Sequence, residues 1–208
     1  MDDLTKRSVD DFLDAVAQRA PTPGGGSVAA AVGALACALA RMVADYSIGK
    51  SSEPKDRNRT EALLNRLRGA DEILRGLVTQ DAVAYAAMSA AGKAARQSPA
   101  ANPAYQEAVL AAIAVPLEVA AAASHALASM DELKDLANQH LQSDLGVAAV
   151  LAEAAARAAW YMVAANLPEL TDAAVRAKLR ENIDETIRHC EGHRLSVETF
   201  VRRHLEKK

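Results

Sequence analysis

Apolar residues in this chain recur every three to four positions along most of its length, the spacing of an α-helical face. Val9, Phe12, Leu13 and Val16 predict a first helix over about residues 9–19. Ser8 and Asp11 stand in the places of a capping box ahead of it. Ala20-Pro21-Thr22-Pro23 ends that helix, because each proline disfavours helix in the residue before it. Gly24-Gly25-Gly26-Ser27 leads into an alanine-rich second helix over about residues 27–46. This helix carries two seams. Gly26, Ala30, Gly33, Cys37, Ala40 and Ala44 form a small one, and Val28, Val32, Leu35, Leu39, Met42 and Tyr46 a larger one. A helix apolar on two faces is expected to be buried on both, so residues 27–46 are predicted to form a central helix surrounded by the others. The small seam lets a neighbouring backbone come close.

Residues 47–53 read as a polar loop, with Pro54 in the first turn of a third helix that runs to about Ala91. Its seam is Leu63, Leu67, Ala70, Leu74, Leu77, Asp81, Tyr85 and Met88, which puts a carboxylate in an interior register. A loop over 92–103 precedes a fourth helix, about 104–130, which Pro116 should kink. A short helix is expected over 130–140. Ser143 is expected to cap a helix ending near Asn166, and Thr171 to cap the last one. The seam of the last helix is Val175, Leu179, Ile183, Ile187, Cys190, Arg194, Val197 and Val201.

Composition supports an all-α fold in a single domain over residues 1–208. Half of the residues are hydrophobic, but only 3% are aromatic, so Ala, Leu, Val and Ile must build the core. Against 24 basic residues there are 27 acidic ones, a net charge of −3 that gives no electrostatic reason to expect nucleic acid or an anionic membrane. The run over 28–40 is too short to span a bilayer, and Pro116, Glu118 and His125 interrupt the one over 109–130. The N-terminus has no signal-like apolar stretch, so a soluble cytoplasmic protein is expected. Cys37 and Cys190 read as buried thiols. The five histidines make no ligand set, and no metal site is expected.

Three features depart from a plain helical bundle. Gly24, Gly25, Gly26 and Ser27 expose backbone N–H groups at a helix N-terminus, where the dipole favours an anion and a flat ligand could lie against the backbone. The alternative is a tight entry into a buried helix. Asp81 on an apolar seam is either paired with a basic residue or functional. Asn138 with Ser143 and Asp144 reads on its own as helix capping. Lys50 reads as a solvated loop charge.

The segments 20–34, 42–43, 49–50, 81–85, 114–117, 138 and 143–149, in this order, resemble the cyclodeaminase/cyclohydrolase family. That family comprises the cyclodeaminase part of formimidoyltransferase-cyclodeaminase and bacterial methenyltetrahydrofolate cyclohydrolases. The Pro-Gly-Gly-Gly-Ser block and the Ser-Asp-Leu block together are specific. The resemblance implies a helical homodimer and a tetrahydrofolate substrate, with no metal and no prosthetic group. It implies either cyclodeamination of formimidoyltetrahydrofolate or hydrolysis of methenyltetrahydrofolate. Asp81 and then Asp144 become the candidate catalytic carboxylates, with Gly24, Gly25, Gly26, Ser27, Lys50, Tyr85, Asn138 and Ser143 as substrate contacts. Lys50 is followed here by Ser51-Ser52-Glu53, where the family often has a second basic or aromatic residue. A non-catalytic folate-binding or scaffold protein is the alternative, which would not need a carboxylate on an apolar seam.

Overall fold

Ser8 opens the first helix as its spacing predicts. Its Oγ accepts the Asp11 N–H at 3.1 Å and donates to Asp11 Oδ2 at 2.6 Å. The computed structural model describes residues 3–49, 53–95 and 102–206. Six α-helices make up the fold: α1 (Val9–Ala17), α2 (Gly25–Ile48), α3 (Pro54–Ala95), α4 (Pro103–Leu133), α5 (Gln142–Asn166) and α6 (Ala173–Leu205). No strand occurs among the described residues.

Small residues set the packing. Every member of the predicted small seam of α2 is buried. A Cβ on Gly33 would lie 2.9 Å from Leu74 Cδ2 on α3 and 3.4 Å from Ala155 Cβ on α5, so glycine sets the approach of both neighbours. Gly26 lies beside Asp81 and Gly33 beside Leu74, so α2 and α3 are antiparallel. Gly25 lies beside Met162 and Gly33 beside Ala155, so α2 and α5 are antiparallel as well. The helix that touches the most others is α4, which packs on α2, α3, α5 and α6 and continues through Pro116.

The larger seam of α2 behaves differently from the expectation that both faces are buried. Leu35 is 64% exposed and Tyr46 63%, while Val28, Val32, Leu39 and Met42 are half-buried. The period of an exposed apolar seam is the same as that of a core face, so periodicity alone does not distinguish the two. The apolar run counted as residues 28–40 belongs to a 24-residue helix. By length and composition α2, α4 and the segment Gln139–Glu169 are long and apolar enough to cross a membrane, and about half of each is buried inside the bundle.

Three local features also differ. No separate helix forms over 130–140: α4 runs on to Leu133, and a 3-10 turn covers Gln139–Leu141. Ser143 is not the cap of α5, which starts one residue earlier. The Gln142 side-chain amide closes that turn, donating to Lys134 O at 3.1 Å and Ala137 O at 3.3 Å. Asp172 rather than Thr171 caps α6, accepting from the N–H groups of Ala174 and Val175.

Candidate active site

The first turn of α2 begins at Gly24, which has no side chain with which to cap it. The cap comes from another helix. Asp81 on α3 accepts the Ser27 N–H at 2.8 Å and the Ser27 Oγ–H at 3.0 Å, both on Oδ2. The open helix N-terminus expected from the glycine run is thus occupied by a carboxylate of the chain itself. The three glycines are not equivalent. A Cβ on Gly26 would fall 2.0 Å from Asp81 Oδ1, which forbids any side chain there. A Cβ on Gly25 would meet only the flexible end of Met162, at 3.1 Å, and one on Gly24 would find nothing nearer than Pro21 O at 3.7 Å.

Interior acids on α3 divide into two kinds. Asp71, almost fully buried, is held by Arg41 and by Arg75 Nε at 2.9 Å. One carboxylate is shared by two guanidinium groups, which accounts for its burial as structure. Asp81 is partly buried and has no cation at all among the described residues; Ser27 is its hydrogen-bonding partner. Burial raises its pKa above the ordinary carboxylate value, and the two Ser27 hydrogen bonds only partly offset this. A half-buried carboxyl without a counter-ion, set against a helix N-terminus, can move a proton or stabilise a cationic ligand.

The sequence-predicted residues fall into two groups. Gly24, Gly25, Gly26, Ser27 and Asp81 come together at the N-terminal end of α2, and Tyr85 lies one turn further along the Asp81 face of α3 and is 43% exposed. The other group sits at the far end of α2. The Asn138 N–H donates to Ser47 Oγ at 2.9 Å, and its side chain accepts the His140 N–H. Ser143 and Asp144 follow in the first turn of α5, Ser143 exposed and Asp144 half-buried. Ser27 and Ser47 are 20 residues apart on one helix, about 30 Å. Asp144 stands 18 residues before Met162, the neighbour of Gly25, and so about 27 Å along α5 from it. Within one chain Asp81 and Asp144 therefore do not form a pair. Lys50 lies outside the described residues.

Two further contributors carry no signal in the sequence. Thr79 Oγ1 accepts the Leu4 N–H at 2.9 Å and ties the N-terminal segment down two residues before Asp81. Met162 lies against Gly25. No spacing along the chain signals either contact, because both join distant segments. Neither cysteine is available as a nucleophile: burial pushes the Cys37 thiol up to about 12 and Cys190 up to about 11. Among the described residues no three His, Cys, Asp or Glu side chains gather into a metal-binding group.

Comparison with known proteins matches this architecture. A family model described as formiminotransferase-cyclodeaminase covers residues 8–185. The chain is 35% identical over 188 residues to formimidoyltransferase-cyclodeaminase of Rattus norvegicus, covering 88% of this chain and 35% of that protein. It thus spans about a third of that relative's length. It is 34% identical to methenyltetrahydrofolate cyclohydrolase of Methylorubrum extorquens, with 86% of each chain covered. The crystal structure of a formiminotetrahydrofolate cyclodeaminase from Thermotoga maritima superposes with a TM-score of 0.88 at 30% identity, over 96% of this chain and 98% of that one. With its helical bundle, its glycine-led second helix and a matched length of this extent, the chain belongs to the formiminotransferase-cyclodeaminase family.

Proposed function

We propose that this chain is a folate one-carbon enzyme acting at the carbon between N5 and N10 of tetrahydrofolate, as a formimidoyltetrahydrofolate cyclodeaminase, a methenyltetrahydrofolate cyclohydrolase, or both. The observation that carries this reading is Asp81, partly buried without a counter-ion at the N-terminus of α2. In cyclodeamination N10 attacks the formimidoyl carbon and gives up its proton, a tetrahedral carbon forms, and the C–N bond to the amine breaks as ammonia leaves with an added proton. In hydrolysis water adds to the same amidinium carbon, loses a proton, and the C–N5 bond breaks. Both routes need one group that takes a proton and returns it beside a delocalised cation. A carboxyl with a raised pKa does this near neutral pH better than an ordinary one. The test is turnover by the purified protein. Ammonia release and the rise of methenyltetrahydrofolate absorbance are followed from formimidoyltetrahydrofolate, and the fall of that absorbance from methenyltetrahydrofolate. At least one should exceed the uncatalysed rate. Folate binding without either reaction would overturn catalysis in favour of a binding protein.

The assembly we propose is a homodimer through the uncovered face of α2 and α5. Leu35 and Tyr46 on α2, with Val147, Val150 and Tyr161 on α5, are exposed apolar residues on two adjacent antiparallel helices, and both helices pack on α4 with their other side. Self-pairing about a two-fold axis perpendicular to α2 runs its two copies in opposite directions. The Asp81 end of one chain would then approach the Asn138, Ser143 and Asp144 end of the other, giving the separated residues a common site. Light scattering should report twice the 21.9 kDa chain mass. Leu35→Glu, at a position open to solvent in the single chain, should give a folded monomer with most turnover lost. A wild-type monomer, or a monomeric variant with full activity, would contradict the assembly.

A further inference from the structure

Ser27, expected as a substrate contact, is engaged within the protein. Its side chain is completely buried and directed at Asp81. Its two donors converge on a single oxygen, Oδ2, and leave Oδ1 over the bare Cα of Gly26. The two oxygens of one carboxyl are therefore in unlike surroundings. When Asp81 is ionised, charge gathers on Oδ2, which has two hydrogen bonds and the positive end of the α2 dipole. When Asp81 is protonated, Oδ2 is still engaged as an acceptor twice over, so the hydrogen resides on Oδ1.

We propose that Ser27 is a positioning residue that anchors Oδ2 of Asp81 and thereby makes Oδ1 the oxygen that exchanges a proton with the substrate. The proposal rests on the reading of Asp81 as the proton carrier in folate turnover. The step balances simply. Oδ1 takes the proton lost by the attacking N10 or water as the new bond to carbon forms, and returns it to the departing nitrogen as its bond to carbon breaks. Ser27 keeps its own hydroxyl hydrogen throughout and only holds the carboxyl in one orientation. Gly26 is the complement of this arrangement, since its missing Cβ is the space that Oδ1 uses.

Few other groups face Asp81. From α2 it meets Ser27 and Gly26, and α5 brings the uncharged Met162 alongside at Gly25. Thr79, which holds the N-terminal segment, is also neutral. Tyr85 follows four residues later on the same face of its own helix. No charged side chain contributes to the shift of Asp81, which arises from burial against the two Ser27 bonds. Removing the Ser27 hydroxyl therefore leaves burial less opposed, and the carboxyl should hold its proton to higher pH.

The experiment is a carboxyl-carbon NMR titration of the ligand-free protein, with the Asp81 signal assigned by its absence in Asp81→Asn, alongside steady-state kinetics across pH. In Ser27→Ala, Asp81 should titrate at higher pH than in wild type. The acidic limb of kcat should move in the same direction, and kcat should fall about tenfold, the value of one hydrogen bond to a charged group, with KM little changed. Ser27→Thr keeps a hydroxyl and should restore the titration toward wild type. An unmoved Asp81 titration in folded Ser27→Ala would overturn the positioning role, and so would a raised KM with unchanged kcat, which would return Ser27 to the substrate. The ligand-free titration reads Ser27 without any turnover. A failure of the folate reading would appear instead as absent activity in the wild-type protein, so the two can fail separately.

Discussion

Asp81→Asn should lower turnover by ~10²–10³ while leaving the helical bundle intact, the range typical of losing one electrostatic group at a reacting centre. The amide is nearly isosteric, and its oxygen can still accept the Ser27 N–H and hydroxyl, so the first turn of α2 keeps its cap. It cannot ionise or carry the proton. Stability should not suffer. Because burial raises the Asp81 pKa, the native state holds this proton more tightly than the unfolded chain does. The group therefore favours folding below the unfolded carboxylate value, and that contribution is lost as pH rises through the native one. At neutral pH a side chain that never ionises should melt at or above the wild-type temperature. Circular dichroism with the turnover assay checks both halves; a folded variant with wild-type activity would remove Asp81 from the chemistry and leave Asp144 as the candidate.

Gly26→Ala should be nearly as damaging to activity, for a steric reason. Alanine is the better helix former, and in an open position it would stabilise α2 by about 1 kcal/mol. Here its Cβ would stand 2.0 Å from Oδ1, so the carboxyl must leave its place and give up the bonds from Ser27. The exposed turn of backbone and displaced carboxylate together cost ~1–3 kcal/mol, which outweighs the propensity gain. We expect a lower melting temperature and a fall in kcat of at least ~10², again as for a lost charge at the centre. Gly69→Ala on α3 is the control, since nothing lies within 4 Å of its Cβ. If Gly26→Ala is as stable and active as Gly69→Ala, the contact between Gly26 and Asp81 is not what holds the site.

Much of the fold was legible because its signals are local. The small seam of α2 steps by three and four and packs as its spacing says, and Ser8 with Asp11 caps α1. Asp81 was legible as a carboxylate in an apolar register, but its partner was not. Ser27 lies 54 residues away, and nothing in either segment announces the other. Asp71 is buried more deeply and drew no attention, because its seam had to be known before Arg41 and Arg75 could be seen to balance it. The large seam of α2 misled for another reason: an exposed apolar face has the same period as a buried one. The cap of α6 was displaced by one residue, from Thr171 to Asp172, which is the ordinary scale of competition among neighbouring polar side chains.

In the proposed dimer a site built around Asp81 is completed by the far end of α2 from a second copy. Mixing two inactive proteins tests it most directly. Asp81→Asn and Asp144→Asn are each purified, shown to be inactive dimers, then combined, dissociated and allowed to re-pair. Random pairing gives half heterodimers, each with one site that keeps both carboxylates, so turnover should recover to about a quarter of wild type. No recovery in a mixture shown to contain heterodimers, or full activity in Asp144→Asn alone, would contradict a shared site.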